Sequence, residues 1–397
     1  MITAALARRD GRVADHTWWL ERVGLTAVLL VYALLGVLWS LSVPLGEGPD
    51  EPAHLRYALF LREHRRLPVQ QADPAAGDVP GEGHQPPLAY LLMQPFLVGL
   101  EDGLSSPTMY GNPTFRWNGG TEPNAYLHGA AERPPFQGLM LAWHLARLGS
   151  VGLGLGSVLL CWATVRRLWP ASPGLALGAA ALLAWTPQWL FHHALVSNDP
   201  LMIGLASLLI YLSVAAAQGA APGRRATLHA MACGCTLGLM LITKQSALAF
   251  VPLPLLAWWL GRRDVRSWLR QSVLLIGTTT LIAGWWYLRN WRLYGDPLGL
   301  QVFQATFAVS DFRLGAWQDW REGAWNLLRS SWGSFGWFTL PLPDGAYVFA
   351  GTALAFALAG LLTSAGTSRW DGRGRALAVL VLAIVLVVAW TAMFAVT

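Results

Sequence analysis

The sequence predicts an all-α polytopic membrane protein, with about nine transmembrane helices and interfacial helices in a long first extracytoplasmic loop. Three observations carry this expectation. Hydrophobic residues make up 54% of the 397 and charged residues only 13%, too little polarity for a water-exposed globule. The mean hydropathy is positive. Apolar runs of about 20 residues, the length that crosses a ~30 Å hydrocarbon core, recur from end to end.

Taken in order, residues 1–23 form a cytoplasmic N-terminus and 24–43 the first span. That span has no small-residue cleavage site before Pro44 and reads as an uncleaved anchor. Residues 44–143 make the long outer loop. The bundle at 144–288 holds six helices: 144–165, 174–195, 200–217, 227–241, 246–260 and 269–287. A second outer segment, 289–345, precedes two further spans at 346–362 and 376–396. Orientation follows from arginines in the short connections. Arg8, Arg9 and Arg12, then Arg166-Arg167, Arg224-Arg225, Arg262-Arg263-Arg266, and Arg369, Arg373 and Arg375 fall on alternate loops, which are therefore assigned to the cytoplasm. The expected location is the inner (plasma) membrane, with every candidate chemical group on the outer face.

The net charge of +6 belongs to those arginines facing anionic headgroups and gives no reason to expect a nucleic-acid partner. The three cysteines, Cys161, Cys233 and Cys235, lie in apolar spans, so neither a disulfide framework nor a cysteine metal site is implied. Of the 28 basic residues one is lysine, Lys244, and it sits in a short outer turn. An ammonium snorkelling to the interface explains it; so does a point charge for a phosphate.

In the outer loop, Gly46-Glu47-Gly48-Pro49-Asp50-Glu51-Pro52-Ala53-His54 forces a turn after the first span. Its adjacent carboxylates, Asp50 and Glu51, are the candidate catalytic bases, and either one also suits an N-cap for the helix that Pro52 opens. His54 falls on the same face. The stretch 53–67 is amphipathic and reads as an interfacial helix, with Leu55, Leu59 and Phe60 toward lipid and Arg56, Arg62, Arg65 and Arg66 toward water or phosphate. Residues 87–100 are too short to span and predict a second such helix, closed by Glu101-Asp102. Two acidic pairs suit a divalent cation, but neither forms a D-x-D arrangement, so no metal and no cofactor is the favoured expectation. Asn198-Asp199-Pro200 has the pattern of a helix cap. Arg289 follows the last bundle span where a guanidinium can grip a lipid phosphate, and Tyr294-Gly295-Asp296-Pro297 forms a turn that interface anchoring does not explain. Trp332-Gly333-Ser334-Phe335-Gly336-Trp337 suits stacking on sugar faces and membrane re-entry equally.

In this order, Pro49-Asp50-Glu51-Pro52-Ala53-His54-Leu55-Arg56-Tyr57, His84-Gln85-Pro86-Pro87-Leu88, Asn198-Asp199-Pro200-Leu201, Leu241-Ile242-Thr243-Lys244, and Trp286-Tyr287-Leu288-Arg289-Asn290-Trp291 with Tyr294-Gly295-Asp296-Pro297 resemble the GT-C class of polytopic glycosyltransferases. The resemblance takes in protein O-mannosyltransferases, aminoarabinose transferases and related uncharacterised bacterial families. It implies transfer of a sugar from a polyprenyl-phosphate carrier to an extracytoplasmic glycan, lipid or protein. The acidic residue after the first span is the base in such families; it falls here on Asp50, with Glu51 beside it. His54, His84, Lys244, Arg289, Tyr294 and Asp296 are then expected to bind substrate, Lys244 and Arg289 at the leaving phosphate. Members of the class run on past the point where this chain stops, so the resemblance implies a longer parent polypeptide or a chain without the spans that close the lipid cavity.

Two rival classes stand beside this one. A lipid or glycolipid transporter or flippase predicts ionisable groups near mid-membrane and repeat symmetry. The spans are nearly free of such groups, and no internal repeat is evident. A non-catalytic membrane assembly protein predicts that Asp50, Lys244 and Arg289 do not converge.

Overall fold

The computed structural model describes residues 2–73, 76–100, 109–117, 122–219, 223–262, 264–306, 317–367 and 371–396. Fourteen α-helices follow one another: α1 (Ile2–Ser42), α2 (Glu51–His64), α3 (Leu88–Met93), α4 (Gly138–Leu168), α5 (Pro173–Ala184), α6 (Pro187–His193), α7 (Asp199–Ala217), α8 (Arg224–Leu241), α9 (Pro252–Arg262), α10 (Val265–Tyr294), α11 (Leu300–Thr306), α12 (Trp317–Trp332), α13 (Asp344–Thr367) and α14 (Gly372–Val396). A hairpin of β1 (Ser334–Phe335) and β2 (Leu340–Pro341) joins α12 to α13.

Each of the nine expected spans falls on helix, but they are not equivalent. Among the described residues five helices are long and apolar enough to cross a bilayer: α1 from Trp18, α4, α7, α13 to Leu361, and α14 to Thr391. The bent pair α5–α6 makes a sixth if it counts as one span. The 62° bend falls at Pro187, which cannot continue the hydrogen-bond ladder of α5. Two of the remaining three, α8 and α10, are diluted by arginines and by Thr278-Thr279-Thr280, while α9 with its preceding 3₁₀ turn (Gln245–Phe250) is short. Burial makes up for what α8 and α10 lack in apolar surface. Gly234 and Gly238 let the two backbones meet: a Cβ on Gly234 would lie 2.4 Å from the Leu275 carbonyl oxygen, and one on Gly238 2.8 Å from Ile282. The Thr279 hydroxyl crosses the same seam to donate to the Gly234 carbonyl at 3.0 Å.

Three buried clusters follow from this packing. One joins α7, α8, α9, α10 and α14 around Leu209, Leu237, Leu253, Leu275 and Trp286. A second joins α1, α4, α5 and α6. The third belongs to the outer loop and corrects an expectation. Leu55, Leu59 and Phe60 of α2 do not face lipid; they are buried with Tyr90, Met93, Leu97, Leu139 and Trp143. The loop folds back over α4, and Arg62 secures it by donating to the Leu97 and Leu100 carbonyls. The second expected interfacial helix is α3 followed by a 3₁₀ turn, Gln94–Leu97, shorter than the 87–100 stretch. Glu101-Asp102 and Arg369 lie outside the described residues.

Helix direction sorts the polar groups between two faces. Arg166, Arg167, Arg373 and Arg375 gather where α4 and α7 end and α14 begins. Arg373 donates to the Leu168 carbonyl at 3.2 Å and Arg375 to the Ala217 carbonyl at 2.9 Å, each closing a helix C-terminus. The opposite face holds the end of α1, the starts of α4 and α7, and the ends of α8 and α10.

Candidate functional site

The site begins at the turn between α1 and α2. Asp50 is the N-cap of α2 with φ 56°, a left-handed conformation costly for a residue with a Cβ. Its carbonyl accepts from the amides of Ala53 and His54, both at 3.0 Å, but its carboxylate makes no capping bond. That side chain is exposed. Loss of water to the surrounding protein raises its pKa, while the Lys244 ammonium pulls the other way and Asp199 adds to the rise.

Glu51 turns inward and is fully buried. Its carboxylate takes Arg147 in a two-pronged grip, Nε and Nη2 each at 2.7 Å. It also accepts from the Trp143 indole at 3.0 Å and the amides of Val196 at 2.9 Å and Gly46 at 3.0 Å. Arg147 spends its remaining donors on the carbonyls of Ser40, Val43 and Pro44, at 2.8, 2.6 and 3.0 Å, where α1 ends. Every lone-pair direction of Glu51 is thus committed to tying α1, α2, α4 and the start of α7 together. The expectation of a second base at Glu51 is corrected on that ground: an oxygen holding these donors has no room for a substrate proton. Glu47 pins the far end of the loop in the same manner, accepting from the Ala125 and Tyr126 amides at 2.9 Å and from His128 at 2.8 Å.

Lys244 sits between α8 and the 3₁₀ turn, with Nζ 2.5 Å from Asp199 Oδ1. Burial works against the ammonium, yet the charge of Asp199 and its hydrogen bond outweigh this and hold the lysine above its ordinary value, with Glu82 and Asp50 contributing. Asp199 therefore does more than begin a helix. The Ser197 hydroxyl caps α7 by accepting from the Asp199 amide at 3.2 Å, and the expected Asn198 cap makes no such bond. Asn198 is instead buried, donating to Gln85 Oε1 at 3.3 Å and to the Tyr90 hydroxyl at 3.4 Å.

Tyr90 is the hub behind Asp50. His54 Nδ1 lies 2.9 Å from its hydroxyl, Glu82 Oε2 lies 3.5 Å away, and the Tyr57 ring stacks on it at 3.9 Å. Burial pushes Glu82 up to about 8, with the charge of Asp50 adding to the effect. Burial also brings His54 and His84 down to about 4, so both rings are neutral at pH 7. A cavity of about 180 Å³ opens beside Lys244, walled by His84, Gln85, Gln245, Phe303 and Trp390. Gln245 draws in the 295–306 segment by donating to the Leu298 carbonyl, and Phe303 packs on His84 at 4.9 Å.

Residues 143–286 match the family described as dolichyl-phosphate-mannose-protein mannosyltransferase. No curated protein matches the chain by sequence. Among solved structures it is similar to the Archaeoglobus fulgidus oligosaccharyltransferase in the apo form, at 13% identity and a TM-score of 0.49, over 94% of this chain and 50% of that one. It is similar also to the archaeal oligosaccharyltransferase AglB from Archaeoglobus fulgidus in complex with an inhibitory peptide and a dolichol-phosphate, at 14% identity and 0.49, over 95% and 49%. The chain spans about half the length of these proteins.

The family match holds Arg147, Asp199 and Lys244, while Asp50 and Glu82 precede it and Arg289 follows it. The structure brings Asp50, His54, Glu82, Asp199 and Lys244 into one electrostatic neighbourhood. Arg289 donates to the Pro68 carbonyl at 2.6 Å, with its guanidinium over Trp286 at 5.0 Å. Tyr294 is beside it, its hydroxyl accepting from the Gln70 amide at 3.1 Å. Asp296 is spent locally, accepting from the Leu298 amide at 2.9 Å and the Gln301 amide at 3.2 Å. The Trp332–Trp337 segment is the hairpin, with Phe335 packed on Trp39 at 5.0 Å. Sequence reasoning missed Glu82, Tyr90, Asp199 as a charge partner, and Arg147. For Arg147 a signal was present: a lone arginine inside an apolar run is expensive and demands a partner. Among the described residues no group of three or more His, Cys, Asp or Glu gathers in a way that would hold a metal ion.

Proposed function

We propose that this chain is a membrane glycosyltransferase that moves a sugar from a polyprenyl-phosphate carrier to an acceptor hydroxyl at the membrane face bearing Asp50. The observation that supports this most is an exposed, uncommitted carboxylate, Asp50, within electrostatic reach of the lysine that lines the cavity. Asp50 takes the proton of the acceptor hydroxyl, whose oxygen attacks the anomeric carbon as the bond from that carbon to the phosphate oxygen breaks. The departing lipid phosphate carries the negative charge, which Lys244 and Arg289 receive. A raised pKa makes Asp50 a stronger base than an ordinary aspartate. Neutral His54 and His84 leave the ammonium of Lys244 without a competing cation beside it.

The location that goes with this reading is the plasma membrane, with the arginine-bearing helix ends in the cytoplasm. The polar groups collect at one end of the helices rather than midway, which favours surface chemistry over alternating access. The experiment is to incubate the purified chain with a panel of polyprenyl-phosphate sugars and follow release of the lipid phosphate. Asp50→Asn is expected to lower turnover by roughly 10²–10⁴-fold. A rate near wild type removes Asp50 from the role of base.

A further inference from the structure

At the helix ends farthest from Asp50, α1 and α4 enclose a shelf that the transfer reaction does not use. Trp18, Arg22, Leu25, Trp162, Arg167 and Tyr211 line it, around a volume of about 530 Å³. Its charge is one-sided. Glu21, the acid of the shelf, is buried and already neutralised by Arg166 at 2.6 Å, with the Trp162 indole donating to the same carboxylate at 3.1 Å. Arg22 and Arg167 have no carboxylate partner among the described residues. Their guanidinium carbons instead lie 3.7 Å from the Trp18 ring centre and 5.9 Å from that of Tyr211. Both arginines are exposed.

We propose that this shelf binds the phosphate headgroup of one anionic phospholipid, in the leaflet opposite Asp50. The two guanidiniums are held open by aromatic faces rather than closed by acids, so their N–H donors remain available to a phosphate. Three rings at the level of the charges match the headgroup zone, where indoles and phenols settle. Beyond the shelf α1 stays apolar and exposed, Leu30 at 66%, Leu34 at 60% and Leu38 at 48%, which gives acyl chains a surface to follow. A free phosphate would gain nothing from that surface, and the lipid does.

The test compares retention of dioleoylphosphatidylglycerol and dioleoylphosphatidylcholine by the purified full chain, by native mass spectrometry. The wild type is expected to hold one phosphatidylglycerol in preference to phosphatidylcholine. Arg22→Gln/Arg167→Gln lowers that preference by about thirtyfold, at roughly fivefold for each charge near an anionic surface. Arg22→Lys/Arg167→Lys keeps most of it, which separates charge from fold. Equal retention of the two lipids by wild type, or undiminished phosphatidylglycerol on the glutamine variant, overturns the assignment. Release of the bound lipid by millimolar inorganic phosphate also overturns it, because the shelf would then recognise phosphate alone.

Discussion

Asp50 and Glu51 are neighbours in the chain and face opposite ways: Glu51 is buried with Arg147 at 2.7 Å, whereas Asp50 stands in a left-handed conformation with its carboxylate exposed. The two conformations are coupled. Pulling Glu51 into the Arg147 pair fixes the first residue of α2, and the strained φ at Asp50 is what then lets the chain enter that helix with its side chain turned out. One acid holds the turn in place and the other keeps its carboxylate open to solvent.

That division separates two phenotypes. Glu51→Ala and Arg147→Ala each leave a buried charge without its partner, at a cost of about 3–5 kcal/mol, so both are expected to lower the melting temperature in detergent sharply. Asp50→Asn removes no buried contact and is expected to melt with the wild type. Thermal denaturation followed by tryptophan fluorescence checks this; a Glu51→Ala protein as stable as wild type contradicts the structural role.

For Lys244, charge at the leaving phosphate predicts that Lys244→Met loses roughly 10²–10³-fold in turnover, the cost of removing one preorganised stabiliser of developing charge. Lys244→Arg retains part of the rate. Asp199→Asn frees the ammonium from its 2.5 Å partner and alters binding of the lipid phosphate more than the melting temperature. Steady-state transfer kinetics on the three variants provide the comparison. Full activity in Lys244→Met rules the lysine out.

Stability should depend on pH in two directions. Glu82 is raised to about 8 from its ordinary 4.5, so the protein binds this proton more tightly than the unfolded chain, and stability falls as pH rises from about 4.5 to 8. His54 and His84 are lowered to about 4 from 6.5, so stability falls as pH drops from 6.5 to 4. Between 4.5 and 6.5 the two histidines outweigh the one carboxyl, and above 6.5 Glu82 acts alone. These three groups therefore place their combined maximum near pH 6.5. Glu82→Gln is expected to flatten the decline above it, which is at most about 1.4 kcal/mol per pH unit. Melting temperatures of the two proteins across pH 5 to 9 measure it; parallel curves refute the Glu82 assignment.

Transfer is proposed to run without a resident metal, Lys244 and Arg289 supplying the positive charge. Treatment with a chelator is then expected to leave the rate unchanged. A loss greater than about tenfold that added divalent cation restores would put an ion in the reaction.

How much was legible before folding varied with the range of the interaction. Helices fell where apolar runs lie, because crossing a bilayer is a demand on composition and length that each segment meets by itself. Lys244 stood out as the one lysine among 28 basic residues, and Asp50 by its turn after the first span. Glu82 carried no such signal: it lies in a polar Gly/Pro-rich stretch and acquires its character only from burial beneath Tyr90 and His54. The face of α2 was misassigned because amphipathicity says that one side seeks an apolar neighbour, and α4 competes with lipid for that place.

By itself, then, the sequence determined a helical membrane chain with arginines gathered at one set of helix ends and a carboxylate-bearing turn at the other, since hydrophobicity and charge act residue by residue. Only the tertiary structure decided which of two adjacent acids is free and which acid holds the lysine. Glu51 is claimed by an arginine 96 positions away and Lys244 by an aspartate 45 positions away, and separations of that size are settled by how helices pack.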